Sequence, residues 1–246
     1  RLIARPWLWL LTRTSDCRIF QDMKAPDIIQ KVFKDRGFDD FRSSLNESYP
    51  TLEYCVQYRE TDFEFVSRLM EQHGIYYYFE HSAEKHTMVL ADSKSSHSDK
   101  QDVSYVKYGQ AQGPQHEHLL FWSSKRRFRT GQVEFNDYDD MQPSSDLKSK
   151  AKGSARYNKS DMELYDYPAK FKKRPDGEKY AKIQLESEQA LDQRRYATGD
   201  AGSLFPGKLM KLKEHPTGAE NEEYLVVRSS HSIHNQPYRS IVGEGL

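Results

Sequence analysis

Between Thr61 and Glu80 the sequence reads TDFEFVSRLMEQHGIYYYFE, and its punctuation leaves the backbone few options. Thr61 followed three residues later by Glu64 is a capping box. The hydroxyl and the carboxylate each satisfy an N–H that the first helical turn would leave unpaired. Phe65, Val66, Leu69 and Met70 recur at helical spacing and form one apolar stripe. Gly74 then supplies the left-handed stop, with His73 in the last turn. Residues 75–80 read as an aromatic strand, 82–85 as a polar turn, and 87–91 as the returning hairpin partner.

The same signals organise the rest of the chain. Residues 1–20 read as two strands, around LIARPWLWLL and CRIFQ, with Pro6 demoting the first to an edge or a bent strand. A helix follows from Pro26, carrying Ile28, Ile29, Val32 and Phe33, and Gly37 is placed to end it. Residues 52–58 alternate as a strand. Residues 92–115 are polar and read as a long exposed loop with one strand near VSYVKY. Strands are expected at LLFWSS, KRRFRTGQVEFNDYD and MELYDYPAKF, with a polar linker around a further strand over residues 141–160. Residues 177–197 read as a long polar helix, and the remainder as short strands around turns at PTG and NEE. The expected class is mainly β with a few helices, α+β, without a solenoid repeat.

A chain of 246 residues with 36% apolar residues can bury a sizeable core, as one large domain or two smaller ones. Lys and Arg together number 37, as do Asp and Glu, so no net field draws the chain to nucleic acid or anionic lipid. The basic run Lys125, Arg126, Arg127 and Arg129 reads as a solvated edge strand. Cys17 and Cys55 lack the close spacing of a zinc site or disulfide framework, and a bridge between them stays open at this level. The apolar start, RLIARPWLWLL, is too short to span a bilayer, is followed by no cleavage signal and lacks an initiating Met. It reads as the interior of a longer chain.

Nine histidines raise the question of catalysis. A zinc-protease helix needs imidazoles four residues apart on one face, with a Glu between them. Gly74 stops the helix directly after His73, which reads as a partner of the helix C-terminus. His81 and His86 flank the hairpin turn and read as solvated turn residues. His116 and His118 would share one strand face without a third ligand fixed by spacing, and His231 and His234 are a weaker pair. Asp137, Asp139 and Asp140 lack the glycine and distal Glu of a calcium loop. No nucleophile elbow, phosphate loop or dinucleotide fingerprint is present. No catalytic, cofactor-binding or metal-ligating residue is therefore assigned. The competing readings are a metal-dependent hydrolase built on His73, His81, His86 or His116 and His118, and a carbohydrate-binding barrel using exposed Tyr and Trp rings.

EYCVQYRETDFEFVSRLMEQHGIYYYFEH followed by KHTMVLADS resembles the VgrG spike proteins of bacterial type VI secretion systems and, more loosely, the hub proteins of contractile phage tails. RPWLWLLTRTSDCRIFQ, FNDYDDMQPSSDL, ELYDYPAKF, GEKYAKIQLE and GSLFPGKLMKLKEHP with NEEYLVV agree in the same order, over nearly the whole chain. The resemblance implies two related β-barrel domains of phage tail-hub type with helices packed on them, the first barrel incomplete. It places a first hub region at residues 1–115, a second at 116–240, and the start of a linker towards a needle domain at 241–246. It implies a homotrimer joining an Hcp-type tail tube to a puncturing needle and to secreted effectors. Some members carry C-terminal toxins, but for this chain no enzymatic activity, cofactor or nucleic-acid partner is expected, and contact with the target membrane is expected only through the needle. It would reside in the bacterial cytoplasm before firing and be delivered into a target cell afterwards. Two departures are visible: strands that precede RPWLWLL in the family lie outside this sequence, and HSIHNQPYRS passes directly into IVGEGL.

Overall fold

The structure, a computed structural model, describes residues 2–97, 100–106, 117–154 and 157–233. Two helices and a two-stranded ribbon build the first core. The ribbon pairs β1 (Ser15–Lys24) antiparallel with β3 (Thr51–Thr61), Phe20 facing Cys55. Alternation sends Phe20, Cys55 and Gln57 inward and leaves Ile19, Tyr54 and Tyr58 exposed on the opposite face. Helix α1 (Ala25–Asp35) buries Ile28, Ile29, Val32 and Phe33 completely, and α2 (Asp62–His73) buries Phe65, Val66, Leu69 and Met70 against them. Both stripes are those of the sequence.

The punctuation of α2 is realised atom by atom. The Glu64 N–H donates to Thr61 Oγ1 at 3.1 Å, and the Thr61 N–H donates to Glu64 Oε2 at 2.8 Å. Gly74 takes φ +70° and closes the helix. A Cβ there would lie 3.1 Å from Ile183, so the glycine also permits close packing against the third helix.

β4 (Tyr76–His81) and β5 (His86–Ala91) form the expected hairpin, and β2 (Phe41–Ser44) adds parallel to β5. The central β5 buries Met88, Val89, Leu90 and Ala91 fully, which explains its unbroken apolar run. A five-stranded sheet takes the order β11-β7-β6-β12-β13. Its strands are β6 (Lys100–Tyr105), β7 (His118–Arg126), β11 (Gln193–Gly199), β12 (Leu209–Lys213) and β13 (Glu223–Leu225). A three-stranded sheet, β10-β8-β9, comprises β8 (Gln132–Phe135), β9 (Ser149–Lys152) and β10 (Glu163–Asp166). Helix α3 (Arg174–Gln189) covers it with Ala181 and Leu185 on Val133. The architecture is thus mixed sheets with a few helices, and among the described residues each of the four sheets is open.

Several expectations are corrected. The first predicted strand is instead a 3-10 helix over Trp7–Arg13, because Trp7, Leu8 and Leu11 bury one side of a helical turn while Trp7 stacks on Phe38 at 4.8 Å. The long helix ends at Gln189, and residues from Gln193 onward are strand β11, paired with β7. The polar stretch after residue 92 is not simply an exposed loop. Ser96, His97 and Val103 are buried, and β6 lies inside the five-stranded sheet. Within KRRFRTGQVEFNDYD the continuous strand shrinks to Gln132–Phe135, after β7 has ended at Arg126.

Candidate functional site

The described histidines sit at several packing sites, one of which His81 and His86 share. His73 is 3% exposed, with its ring 6.2 Å from that of Tyr49 and 5.4 Å from that of Tyr180. Burial, helped by the charge of Lys179, pulls its pKa down to about 4. It is a neutral packing residue, so the expected cationic helix-end role is corrected. His81 and His86 face each other across the hairpin, ring centroids 6.0 Å apart. His86 Nε2 accepts the Trp7 N–H at 3.0 Å and so ties the 3-10 helix to the hairpin, which a solvated turn residue would not do. His118 sits 3.0 Å from Asp200 through Nδ1, and the Asp200 carboxylate also accepts the His118 backbone N–H at 2.7 Å. His231 donates through Nε2 to the Leu204 carbonyl at 3.1 Å. His116 and His234 lie outside the described residues. Among those described, no three His, Cys, Asp or Glu side chains converge to hold a metal ion.

The acidic and basic runs are also engaged locally. Asp137 Oδ2 accepts the Phe171 N–H at 2.9 Å and Asp139 Oδ1 the Met141 N–H at 3.0 Å, shaping the turn; Asp140 is exposed. Arg126 forms a fork with Asp192 at 2.9 and 2.8 Å, and Arg129 approaches Glu188 at 3.5 Å. Arg127 donates its backbone N–H to Asp192, and Lys125 lies opposite Arg194 in the sheet. Cys17 and Cys55 are both free, one exposed and one buried on opposite faces of the ribbon.

Sequence reading missed the strongest polar node, built around Asp62. This fully buried carboxylate accepts from Arg18 and Arg36, each at 2.6 Å, and from Gln57 and Thr14, each at 2.8 Å. Burial alone would raise its pKa, but the Arg36, Gln57 and Thr14 hydrogen bonds and the Arg18 charge outweigh it and hold the carboxyl below its usual range. Arg18 lies on β1, Gln57 on β3, Arg36 just past the end of α1 and Thr14 just before β1, so the node ties these segments to the start of α2. Such a saturated carboxylate has no lone pair directed at solvent chemistry. It is a structural pin. Its signal was only an Asp beside the cap Thr, because its arginine partners are 26 and 44 residues away.

A similar pin occurs in the five-stranded sheet. Glu220 accepts from Trp122 Nε1 at 2.8 Å and Arg195 Nε at 2.6 Å. Among the large apolar side chains that face outward are Ile19, Tyr54 and Tyr58 on the ribbon, and Phe121 with Tyr196 on neighbouring strands β7 and β11.

The described residues thus form a mixed-sheet scaffold held by buried polar pins. The phage tail baseplate hub (GPD) family profile matches residues 1–237, and the chain belongs to that family. Within it, the sequence is similar to type VI secretion spike proteins. It is 44% identical to VgrG1b of Pseudomonas aeruginosa over 98% of this chain and 33% of that protein, and 42% identical to VgrG1c of the same organism over 100% and 34%. The chain therefore spans about a third of the length of these relatives. The fold is similar to that of the E. coli c3393 protein, described as a type VI secretion component resembling the T4 phage tail proteins gp27 and gp5. That likeness has a TM-score of 0.61 at 19% identity, over 89% of this chain and 46% of that one.

Proposed function

We propose that the chain is the hub portion of a type VI secretion spike, acting in assembly and not in catalysis. The observation that carries this reading is the near-full-length match to two spike proteins at more than 40% identity. In the full assembly two hub units, residues 1–115 and 116–240, complete their open sheets into barrels, and residues 241–246 lead to a needle. Strand β6 belongs to the first stretch but pairs in the sheet of the second, so the units are stitched together. Three copies form the hub, which adapts an Hcp-type tube to the needle and its effectors. The protein waits in the bacterial cytoplasm and leaves it on firing.

Replacing the matching region of a full-length VgrG spike protein with this chain tests the proposal. Export of the tube protein into the medium is expected to persist. Loss of export by a soluble, folded chimera would overturn the reading.

A further inference from the structure

Strands β7 and β11 pair antiparallel, and alternation divides their side chains between two faces. Trp122 and Arg195 point inward, where both donate to Glu220 and Trp122 packs on the Val103 and Leu212 core. The opposite face carries three cross-strand pairs in succession: Lys125 with Arg194, Ser123 with Tyr196, and Phe121 with Thr198. Phe121 is 58% exposed and Tyr196 51%. This face is turned away from the sheet's own core, and exposed aromatic rings on such a face mark a surface for interaction.

Its charges are unbalanced. Lys125 and Arg194 stand directly opposite each other, and like charges in that position are destabilising. Their chain neighbours Arg126 and Arg195 are ion-paired with Asp192 and Glu220. Lys125 and Arg194 have no ion-pair partner among the described residues. The carboxylates that flank the strands are engaged elsewhere: Asp200 accepts the His118 N–H, and Glu117 accepts from Ser203 and Gln101. None of the six facing positions is acidic. We propose that the outer face of β7 and β11 docks an acidic segment of another polypeptide. Its carboxylates lie over Lys125 and Arg194, and its apolar side chains over Tyr196 and Phe121. Two cations are too few to hold a nucleic-acid backbone, and the balanced charge of the chain adds no field to help them. A second copy presenting the same face would set cation against cation. Carboxylates relieve the repulsion between Lys125 and Arg194, so a strain carried by the free protein disappears on docking. The inference does not rest on the hub reading.

The probe is a fluorescein-labelled peptide, Ser-Glu-Val-Glu-Phe-Ser, titrated into the full-length protein at low salt, with Ser-Lys-Val-Lys-Phe-Ser as its basic counterpart. Fluorescence anisotropy is expected to show saturable binding of the acidic peptide alone, weakened about tenfold by Arg194→Glu. The same variant should raise the urea midpoint, because a like-charge pair becomes an opposite-charge one. Lost binding together with gained stability separates docking from a role in folding. Lys125→Glu makes the same change from the neighbouring strand, and serves if the first variant fails to fold. Equal binding of both peptides, binding of neither, or undiminished binding by a folded variant would overturn the inference. A lower midpoint in both variants would overturn it too, as would capture by phosphatidylserine vesicles in place of the acidic peptide. The export assay can succeed or fail whatever this titration gives.

Discussion

At the residue scale, His73 and Asp62 are two buried groups whose contributions to stability are both lost in acid. His73 has its folded pKa pulled below the unfolded value, to about 4, so protonation favours unfolding. Its contribution is complete above the unfolded histidine range and is lost as pH falls from about 6.5 to 4. The Asp62 carboxyl is held below its ordinary value by its hydrogen-bond partners, so its contribution is present above the carboxylate range and disappears as pH falls through the folded pKa. His73→Phe keeps an aromatic ring between Tyr49 and Tyr180 and removes the titration. Near pH 4 the variant is expected to be less acid-sensitive than wild type by about 3 kcal/mol, from 1.36 kcal/mol per pKa unit. Denaturant melts at pH 7 and pH 4 would check this, and an unchanged acid loss would refute the role given to His73.

At the scale of elements, α2 shows local rules in control. Thr61→Ala removes the cap and should cost about 1 kcal/mol in chemical denaturation, with the slope of the transition unchanged. A cost near zero would mean that tertiary packing holds the helix start without help. Both long apolar stripes, the capping box, the glycine stop and the hairpin were legible because each depends on residues within one or two turns. The segment RLIARPWLWLL was not. Its apolar run suits a strand or a buried turn equally, and the choice is made by Phe33, Phe38 and His86, all distant in sequence. Residues 193–197 continue the polar character of α3, and only pairing with β7 turns them into strand. The burial of His97 was hidden for the same reason. A polar stretch gives no local sign that its ring meets the Gly207 carbonyl, 110 residues away. Of the candidate site residues, sequence placed His73 and His81 on different elements correctly, but it could not see the Asp62 pin.

At the scale of the whole molecule, an exposed apolar ribbon face and open sheets suit a part built to be joined. The full-length protein is expected to have three times its chain mass by light scattering, and a strict monomer would contradict the hub reading. Ile19→Lys with Tyr58→Lys should leave the melting of the chain within about 0.5 kcal/mol, since both side chains are exposed. The same pair should reduce that threefold mass if the ribbon face is covered in the assembly. Strand β6 carries a consequence of another kind. It pairs parallel with β12, Val103 opposite Leu212, while the α1–α2 core is complete within the first 90 residues. During synthesis on the ribosome, that early core can condense while the edge of β6 that faces β12 waits for residues 209–213 to emerge. Its unpaired edge is then the exposed surface that a chaperone would have to guard.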